Sequence, residues 1–290
     1  LMSRLFREYS PLGSFLKYAS EGIHSGKDEV FFLNREEAQE KGLETPPVFP
    51  LAKGKDVHRY EALDCKDFQT SVIYPYDLKS GIVMPASKIE FNAPKTWRHL
   101  LASRSSLQGR GYFDRSSKKW YELWCPRDPA MFMGEKIVGP EIANKGEFSL
   151  VREPLFTNNK LKIIVLTKET LEANEYILGL LNSSVLTYIH RLIAPPKSNN
   201  YFEIKTRILK RLPVKRINFT NPSDVEQHDR MVTLVERMLS LHKKKADEKN
   251  PETLRHLEYD ITRTDRQIDR LVYDLYGLTD EEIAIVEGNK

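Results

Sequence analysis

The chain has 290 residues, of which 40% are hydrophobic and 30% charged, so it can bury a core, and disorder throughout is excluded. Its apolar runs, such as 161–166 and 176–181, are far shorter than the ~20 residues of a membrane span, and we expect no membrane partner. Two cysteines exclude a disulfide framework and a four-cysteine metal site, and they favour a reducing, cytoplasmic location.

The net charge of +4 is unevenly distributed along the chain. Residues 222–290 hold 11 basic and 16 acidic side chains, a net charge of −5, so residues 1–221 carry +9. The basic residues of this first part are concentrated in two stretches, 95–120 and 190–216. A basic body suggests a polyanionic partner, although two solvated surfaces would explain the same charges.

The first part of the chain predicts a mixture of strands and helices. It begins with Leu1 ahead of Met2 and lacks a signal-peptide core, so we expect an excised fragment of a longer protein. β-Branched and aromatic residues predict strands at 29–33, 71–74, 136–138 and 161–166. Apolar spacing predicts helices at 95–106 and 175–193. Because these elements do not alternate regularly, the pattern favours an α+β fold over a doubly wound sheet.

The last part of the chain predicts two long antiparallel helices. Apolar residues recur at three- and four-residue steps through 231–241 and 254–275, which is typical of a seam that packs another helix. Asn221 and Asn250 each precede a proline and predict the N-caps. Gly277 predicts the end of the second helix.

A capping box at 279–282 predicts a short terminal helix. We therefore predict two domains: an irregular mixed-sheet α+β body at 1–220, and an antiparallel helical hairpin with a short terminal helix at 221–290.

The chain lacks the motifs of the common catalytic sites. Segment 108–111 has only two glycines and no following helix pattern, which argues against a nucleotide-binding loop. The seven histidines are scattered, and none pairs with a cysteine at ligand spacing. Neither Pro-Pro segment, at 45–48 and 194–197, has the asparagine and aromatic residue that base methylation needs. We predict no catalytic residue, metal site or cofactor site, with a nuclease or methyltransferase of unrecognised site as an alternative.

Three polar segments in the basic body carry groups suited to nucleic acid, at 22–28, 107–120 and 195–203. Each alone is better explained as a surface loop, but together they favour binding to duplex DNA. We expect Asn199 or Asn200 to contact adenine and Arg110 or Arg115 to contact guanine. The candidate DNA-binding residues are His24, Ser25, Lys27, Arg110, Arg115, Lys118, Lys119, Lys197, Ser198, Asn199, Asn200 and Tyr201.

Eight segments in chain order carry a family resemblance. They are GIHSGKDEVFFL, VFPLAKGKDVHRY, SVIYPY, WYELWCPRDP, EKIVGPEI, YILGLLNSSVLTYIHRLI, NNYFEIKTRILKRLPV and IDRLVYDLYGLTDEEIAIVE. Together they resemble the TaqI-like C-terminal specificity domain of adenine-N6 DNA methyltransferases in restriction–modification systems, including the fused type IIG enzymes. The resemblance spans about residues 15 to 287.

The resemblance implies a target-recognition domain that serves phage defence, reads a duplex DNA site and is not itself catalytic. It implies a parent DNA adenine-N6 methyltransferase whose upstream methyltransferase domain binds S-adenosylmethionine, and it leaves open whether the parent also cleaves DNA. In the segment 176–193, Asn182 and Ser183 are expected to bond the backbone. A second alternative is a protein–protein docking module of the same system, in which the acidic hairpin binds a partner subunit.

Overall fold

Helices and strands follow one another irregularly along the chain. The computed structural model describes residues 1–61, 63–65, 68–113 and 115–288. Its helices are α1 (Met2–Glu8), α2 (Asp28–Phe31), α3 (Arg35–Glu40), α4 (Ala86–Asn92), α5 (Pro94–Ala102), α6 (Arg104–Gln108), α7 (Ala130–Met133), α8 (Asn174–Asn182), α9 (Ser184–Ile193), α10 (Thr206–Leu209), α11 (Pro222–Asp247), α12 (Pro251–Leu275) and α13 (Asp280–Val286). Its strands are β1 (Ser10–Pro11), β2 (Leu16–Glu21), β3 (Phe32–Asn34), β4 (Val48–Ala52), β5 (Thr70–Ile73), β6 (Lys136–Pro140), β7 (Ile142–Ala143), β8 (Ser149–Val151), β9 (Phe156–Thr157), β10 (Leu161–Leu166), β11 (Phe202–Glu203) and β12 (Pro213–Val214). The predicted α+β class is confirmed.

An antiparallel sheet in the order β2-β10-β6-β8 separates two hydrophobic cores. Successive side chains point to opposite faces of a strand. Ile137 and Ile164 therefore enter one core, while Val138 and Ile163 enter the other. Because β6 is buried on both faces, its sequence lacks the polar alternation of a half-exposed strand.

A second sheet lies within one of these cores and is mixed in direction. Its order is β3-β5-β4-β9. Strands β3 and β4 both pair antiparallel with β5, whereas β4 and β9 run parallel. Two short ribbons, β1-β12 and β7-β11, complete the strand pairing of the described residues. The predicted irregular mixed-sheet body is therefore present.

The helical hairpin begins at the predicted boundary, yet it packs into the core of the body. A Cβ atom at Gly179 in α8 would lie 2.5 Å from the sulfur of Met231 and 3.0 Å from Cγ2 of Val235. The absence of a side chain at Gly179 thus lets α11 approach α8 closely. Met231 and Val235 are fully buried in a core that the body shares. Residues of 1–220 and of 221–290 thus pack in one hydrophobic core. The division of the chain into two domains at this boundary stays a prediction.

The local signals at the helix ends are confirmed. The side chain of Asn221 accepts a hydrogen bond from the N–H of Ser223, and the side chain of Asn250 caps α12 in the same way. Gly277 has φ +55°, the left-handed conformation that ends a helix. Thr279 and Glu282 form the predicted capping box at the start of α13.

Three predicted elements differ from the observed ones. The segment 29–33 is mostly the helical turn α2, because the N–H groups of Val30 and Phe31 bond the Lys27 carbonyl; only its last two residues join β3. The predicted helix 95–106 is divided at Ser103 into α5 and α6. The predicted helix 175–193 is likewise two helices, since Ser183 has ψ 156° and its side chain caps α9.

Asn182 bonds the backbone as expected. Its side-chain oxygen accepts a 2.8 Å hydrogen bond from the N–H of Phe148, and its side-chain nitrogen donates to the Phe148 carbonyl at 2.9 Å. Asn182 is fully buried, so its side chain, and not solvent, satisfies the N–H and carbonyl groups of Phe148. The neighbouring Ser183 donates to the Leu180 carbonyl at 2.7 Å.

We predict that Asn182→Ala lowers the free energy of unfolding by about 2–3 kcal/mol, because the buried N–H of Phe148 loses its acceptor. Urea denaturation followed by circular dichroism measures the change. Asn92 is the matched control, since its side chain is exposed and bonds the Lys88 carbonyl of its own helix. Asn92→Ala should change stability by no more than about 0.5 kcal/mol; equal effects of the two variants would contradict the structural role of Asn182.

Candidate nucleic-acid interface

The segment 195–203 folds into a tight β-hairpin. The N–H of Lys197 donates to the Tyr201 carbonyl at 2.8 Å, and the N–H of Tyr201 donates to the Ser198 carbonyl at 3.3 Å. The two central residues, Asn199 and Asn200, have φ values of 57° and 62°. Positive φ at both central positions is the signature of a type I′ turn, which asparagine tolerates better than most residues. We call residues 197–201 the asparagine turn.

All five side chains of the asparagine turn are exposed, whereas the base below it is buried. Phe202 is 1% exposed and pairs with Ala143 in the β7-β11 ribbon. Its ring centroid lies 4.8 Å from that of His190. Burial lowers the pKa of His190 to about 4, so this imidazole is uncharged at neutral pH. The turn is therefore presented to solvent on a buried, largely apolar base.

The surroundings of the asparagine turn are positively charged. Lys197 and Lys205 lie 3.4 and 3.5 Å from the same carboxylate oxygen of Glu203. One carboxylate thus faces two ammonium groups, and the pKa of Glu203 is lowered by these lysines against the opposing effect of desolvation. Arg207 and Arg211 are exposed farther along the chain.

The loop 22–28 is held against the segment 110–127. Its carbonyl oxygens accept hydrogen bonds from that segment: Gly22 from the Arg127 Nε at 3.0 Å, His24 from the Cys125 N–H at 2.8 Å, Ser25 from the Trp124 N–H at 3.1 Å, and Gly26 from the Tyr112 hydroxyl at 2.8 Å. The loop is therefore anchored through its backbone. The side chain of His24 is exposed and that of Lys27 is half-buried.

Two other residues of this loop have partners within the protein. Ser25 is fully buried, and its hydroxyl donates to the carboxylate of Asp28. It therefore holds the loop in shape and offers no group to a ligand. The ammonium of Lys27 lies 2.6 Å from the carboxylate of Glu29, a surface pair that another anion can displace.

Arg110 is buried, contrary to its expected contact with guanine. Only 5% of its surface is exposed. Its guanidinium donates to the carbonyls of Leu107 at 2.9 Å, Ser25 at 3.2 Å, Glu122 at 3.1 Å and Trp120 at 2.6 Å. It also lies 3.5 Å from the centroid of the Phe113 ring. With its donors engaged, Arg110 joins the loop 22–28 to the segment 107–122, and we do not assign it a base contact.

The remaining cations of this segment are more accessible. Arg115 and Lys119 are exposed. The Lys119 ammonium lies 5.9 Å from the Tyr121 ring centroid. Lys118 is half-buried, donates to the Leu123 carbonyl at 3.2 Å and lies 3.6 Å from the Glu122 carboxylate.

The structure brings two of the three predicted segments together, 22–28 and 107–120. The third, 195–203, pairs instead with β7. Sequence reasoning missed Arg127 and the anchoring role of Tyr112, whose ring centroid lies 4.3 Å from that of Trp124. Arg127 has φ 65°, and no sequence pattern predicts a positive φ at an isolated arginine.

The described residues contain no group of three or more His, Cys, Asp or Glu side chains that could hold a metal ion. No helix in this part of the chain is long and apolar enough to cross a membrane.

We predict that Arg110→Met lowers the free energy of unfolding by about 2–4 kcal/mol, because buried carbonyls lose a charged donor. Chemical denaturation followed by tryptophan fluorescence measures the loss. Arg115→Met, at an exposed arginine of the same segment, should change stability by at most about 0.5 kcal/mol. A stability of Arg110→Met equal to that of the unmodified protein would show that the guanidinium is dispensable.

The comparisons with known proteins agree with one another. The family described as "TaqI-like C-terminal specificity domain" matches residues 49–214. The type II methyltransferase M.BanIII of Aneurinibacillus aneurinilyticus is 26% identical over 117 residues, which cover 40% of this chain and 20% of M.BanIII. The chain thus spans about a fifth of the length of this curated relative.

Two solved structures are also similar. The type IIL restriction-modification enzyme MmeI, in complex with DNA, has a TM-score of 0.61 at 14% identity, over 95% of this chain and 35% of MmeI. The type IIG restriction endonuclease BpuSI has a TM-score of 0.49 at 9% identity, over 95% of this chain and 33% of BpuSI. The likeness to MmeI shows a shared fold. Since the family match covers more than half of the chain, the protein belongs to the TaqI-like C-terminal specificity domains of restriction–modification enzymes.

Proposed function

We propose that this chain is the sequence-specific duplex DNA recognition module of a restriction–modification adenine-N6 methyltransferase. The observation that carries the proposal is the asparagine turn, which presents two exposed amide side chains on a rigid hairpin. Membership of a specificity-domain family supports it, as does the likeness to MmeI, which was solved in complex with DNA.

The geometry of the asparagine turn suits the major groove of DNA. That groove admits a two-stranded β-ribbon, and an asparagine amide can bond N6 and N7 of adenine with two hydrogen bonds. A type I′ turn fixes the backbone of both asparagines before binding, which reduces the conformational entropy lost on association. We therefore assign the adenine contact to Asn199 or Asn200, with Ser198 and Tyr201 beside them.

Accessible basic and polar side chains would supply the phosphate contacts. Lys197 belongs to the asparagine turn, and His24, Lys27, Arg115 and Lys119 lie on the joined loops described above. Such contacts fix the position of a protein on the duplex without reading sequence. We assign these residues to contacts with the DNA backbone. Ser25 and Arg110 stabilise the loops from inside and are assigned no DNA contact.

In this proposal the chain contributes recognition to a larger, cytoplasmic enzyme. A separate methyltransferase domain would bind S-adenosylmethionine and flip the target adenine out of the duplex. The chain itself would hold the DNA in register and would need no cofactor.

We predict that Asn199→Gly/Asn200→Gly weakens binding to the preferred site by about 5- to 150-fold, since a bidentate pair discriminates by ~1–3 kcal/mol. Glycine accepts positive φ, so the turn is retained while both amides are lost. Selection from a randomised duplex pool identifies the site, and fluorescence anisotropy measures affinity for it.

The control is Asn92→Gly, at the exposed last residue of α4. It should leave both affinity and the selected sequence unchanged. If the double variant selects the same bases with the same affinity as the unmodified chain, the asparagine turn does not read DNA.

A further prediction concerns the dependence of DNA affinity on salt. Lys119→Ala and Arg115→Ala should each reduce the steepness of the negative slope of log affinity against log salt concentration by about 0.9, because each removes one phosphate contact. Titrations of one duplex at several salt concentrations give the slope. Arg7→Ala on the distant α1, where Arg7 is 79% exposed, should leave the slope unchanged. An unaltered slope in all three variants would rule out these phosphate contacts.

A further inference from the structure

Helix α12 carries a strip of arginines on its outer surface. Tyr259, Arg263, Arg266 and Arg270 are all exposed. At 3.6 residues per turn they fall within about 60° of the helix circumference and span roughly 16 Å. Arg230 of α11 joins them along a groove of about 560 Å³. We call Arg230, Tyr259, Arg263, Arg266 and Arg270 the arginine strip.

The acidic residues of α12 are directed to partners within the protein. Asp260 lies 3.7 Å from Arg237 of α11, Asp265 pairs with Arg59 of the body, and Asp269 accepts two 2.7 Å hydrogen bonds from Ser184. Residues 222–290 have a net charge of −5, yet these pairs remove negative charge from the outer surface of the hairpin.

The positive charge of the arginine strip itself is only partly neutralised by nearby carboxylates. Glu258 lines one end of the groove and lies 2.9 Å from Lys245, while Arg270 lies 3.7 Å from Asp274. The arginine strip is thus a basic surface on an acidic hairpin.

We propose that the arginine strip docks an acidic surface of another protein domain. Its composition favours a protein partner, because arginine and tyrosine are enriched and lysine is depleted at protein interfaces. No lysine is among the described residues that line the groove. Tyr259 is 68% exposed beside these arginines. The guanidinium fork binds a carboxylate with two parallel hydrogen bonds, so carboxylates are the complementary groups.

The test uses the full chain and a labelled, alanine-based helical peptide with glutamate at every fourth position, followed by fluorescence anisotropy at low salt. The unmodified chain should bind this peptide at least tenfold more tightly than a matched peptide with glutamine in place of glutamate. Arg263→Glu/Arg266→Glu should weaken binding of the glutamate peptide at least tenfold. Arg263→Gln/Arg266→Gln provides a milder variant that keeps the test valid if charge reversal impairs folding.

The matched control is Arg207→Glu/Arg211→Glu, the same charge change at exposed arginines of the body, and it should alter peptide affinity less than twofold. Equal binding of both peptides, or an equal loss in the control, would overturn the proposal. So would a tenfold loss of affinity for a 24-base-pair duplex in the strip variants while peptide binding is unchanged, because the strip would then be a phosphate surface. The proposal is independent of DNA reading, whose failure would appear in the asparagine-turn variants alone.

Discussion

The burial of α8 is the constraint on which the rest of the structure depends. This helix contacts the central sheet, α9 and α11 at once, and its residues from Glu175 to Asn182 are buried. Such a position requires a glycine where α11 crosses and a polar side chain that satisfies the backbone at Phe148. Gly179 and Asn182 meet these two needs. The body and the helical hairpin consequently share a core instead of folding side by side.

Buried polar groups also determine which residues can act at the surface. Arg110 binds four carbonyl oxygens and so anchors two loops. The cost of leaving those carbonyls unpaired keeps its guanidinium inside. Arg115, five residues later, has no such constraint and is exposed. Two arginines of one basic stretch therefore have different roles, because one is enclosed by backbone acceptors and the other is not.

Charge along the chain is a poor guide to charge on the surface. The acidic hairpin presents the arginine strip, since Asp260, Asp265 and Asp269 are engaged within the protein. In the body, Lys197 and Lys205 share one carboxylate, so the asparagine turn remains in a positive environment. Partners respond to the exposed charges, and these depend on which ion pairs the fold completes.

The sequence by itself determined the features that depend on neighbouring residues. The caps at Asn221 and Asn250 and the end of α12 at Gly277 were predictable because each depends on a few consecutive residues. The helical seam was predictable from apolar spacing along each helix, and the family resemblance from the order of eight short segments. The tertiary structure alone decided that Arg110 is buried, that Ser183 divides a helix, that Asn199 and Asn200 form a type I′ turn, and that α12 has a basic outer surface. The burial of Arg110 and the pairing of Asp265 and Asp269 depend on contacts between residues far apart in the chain, which no local pattern indicates. The break at Ser183 and the type I′ turn rest on short-range hydrogen bonds, but apolar spacing and composition did not predict them.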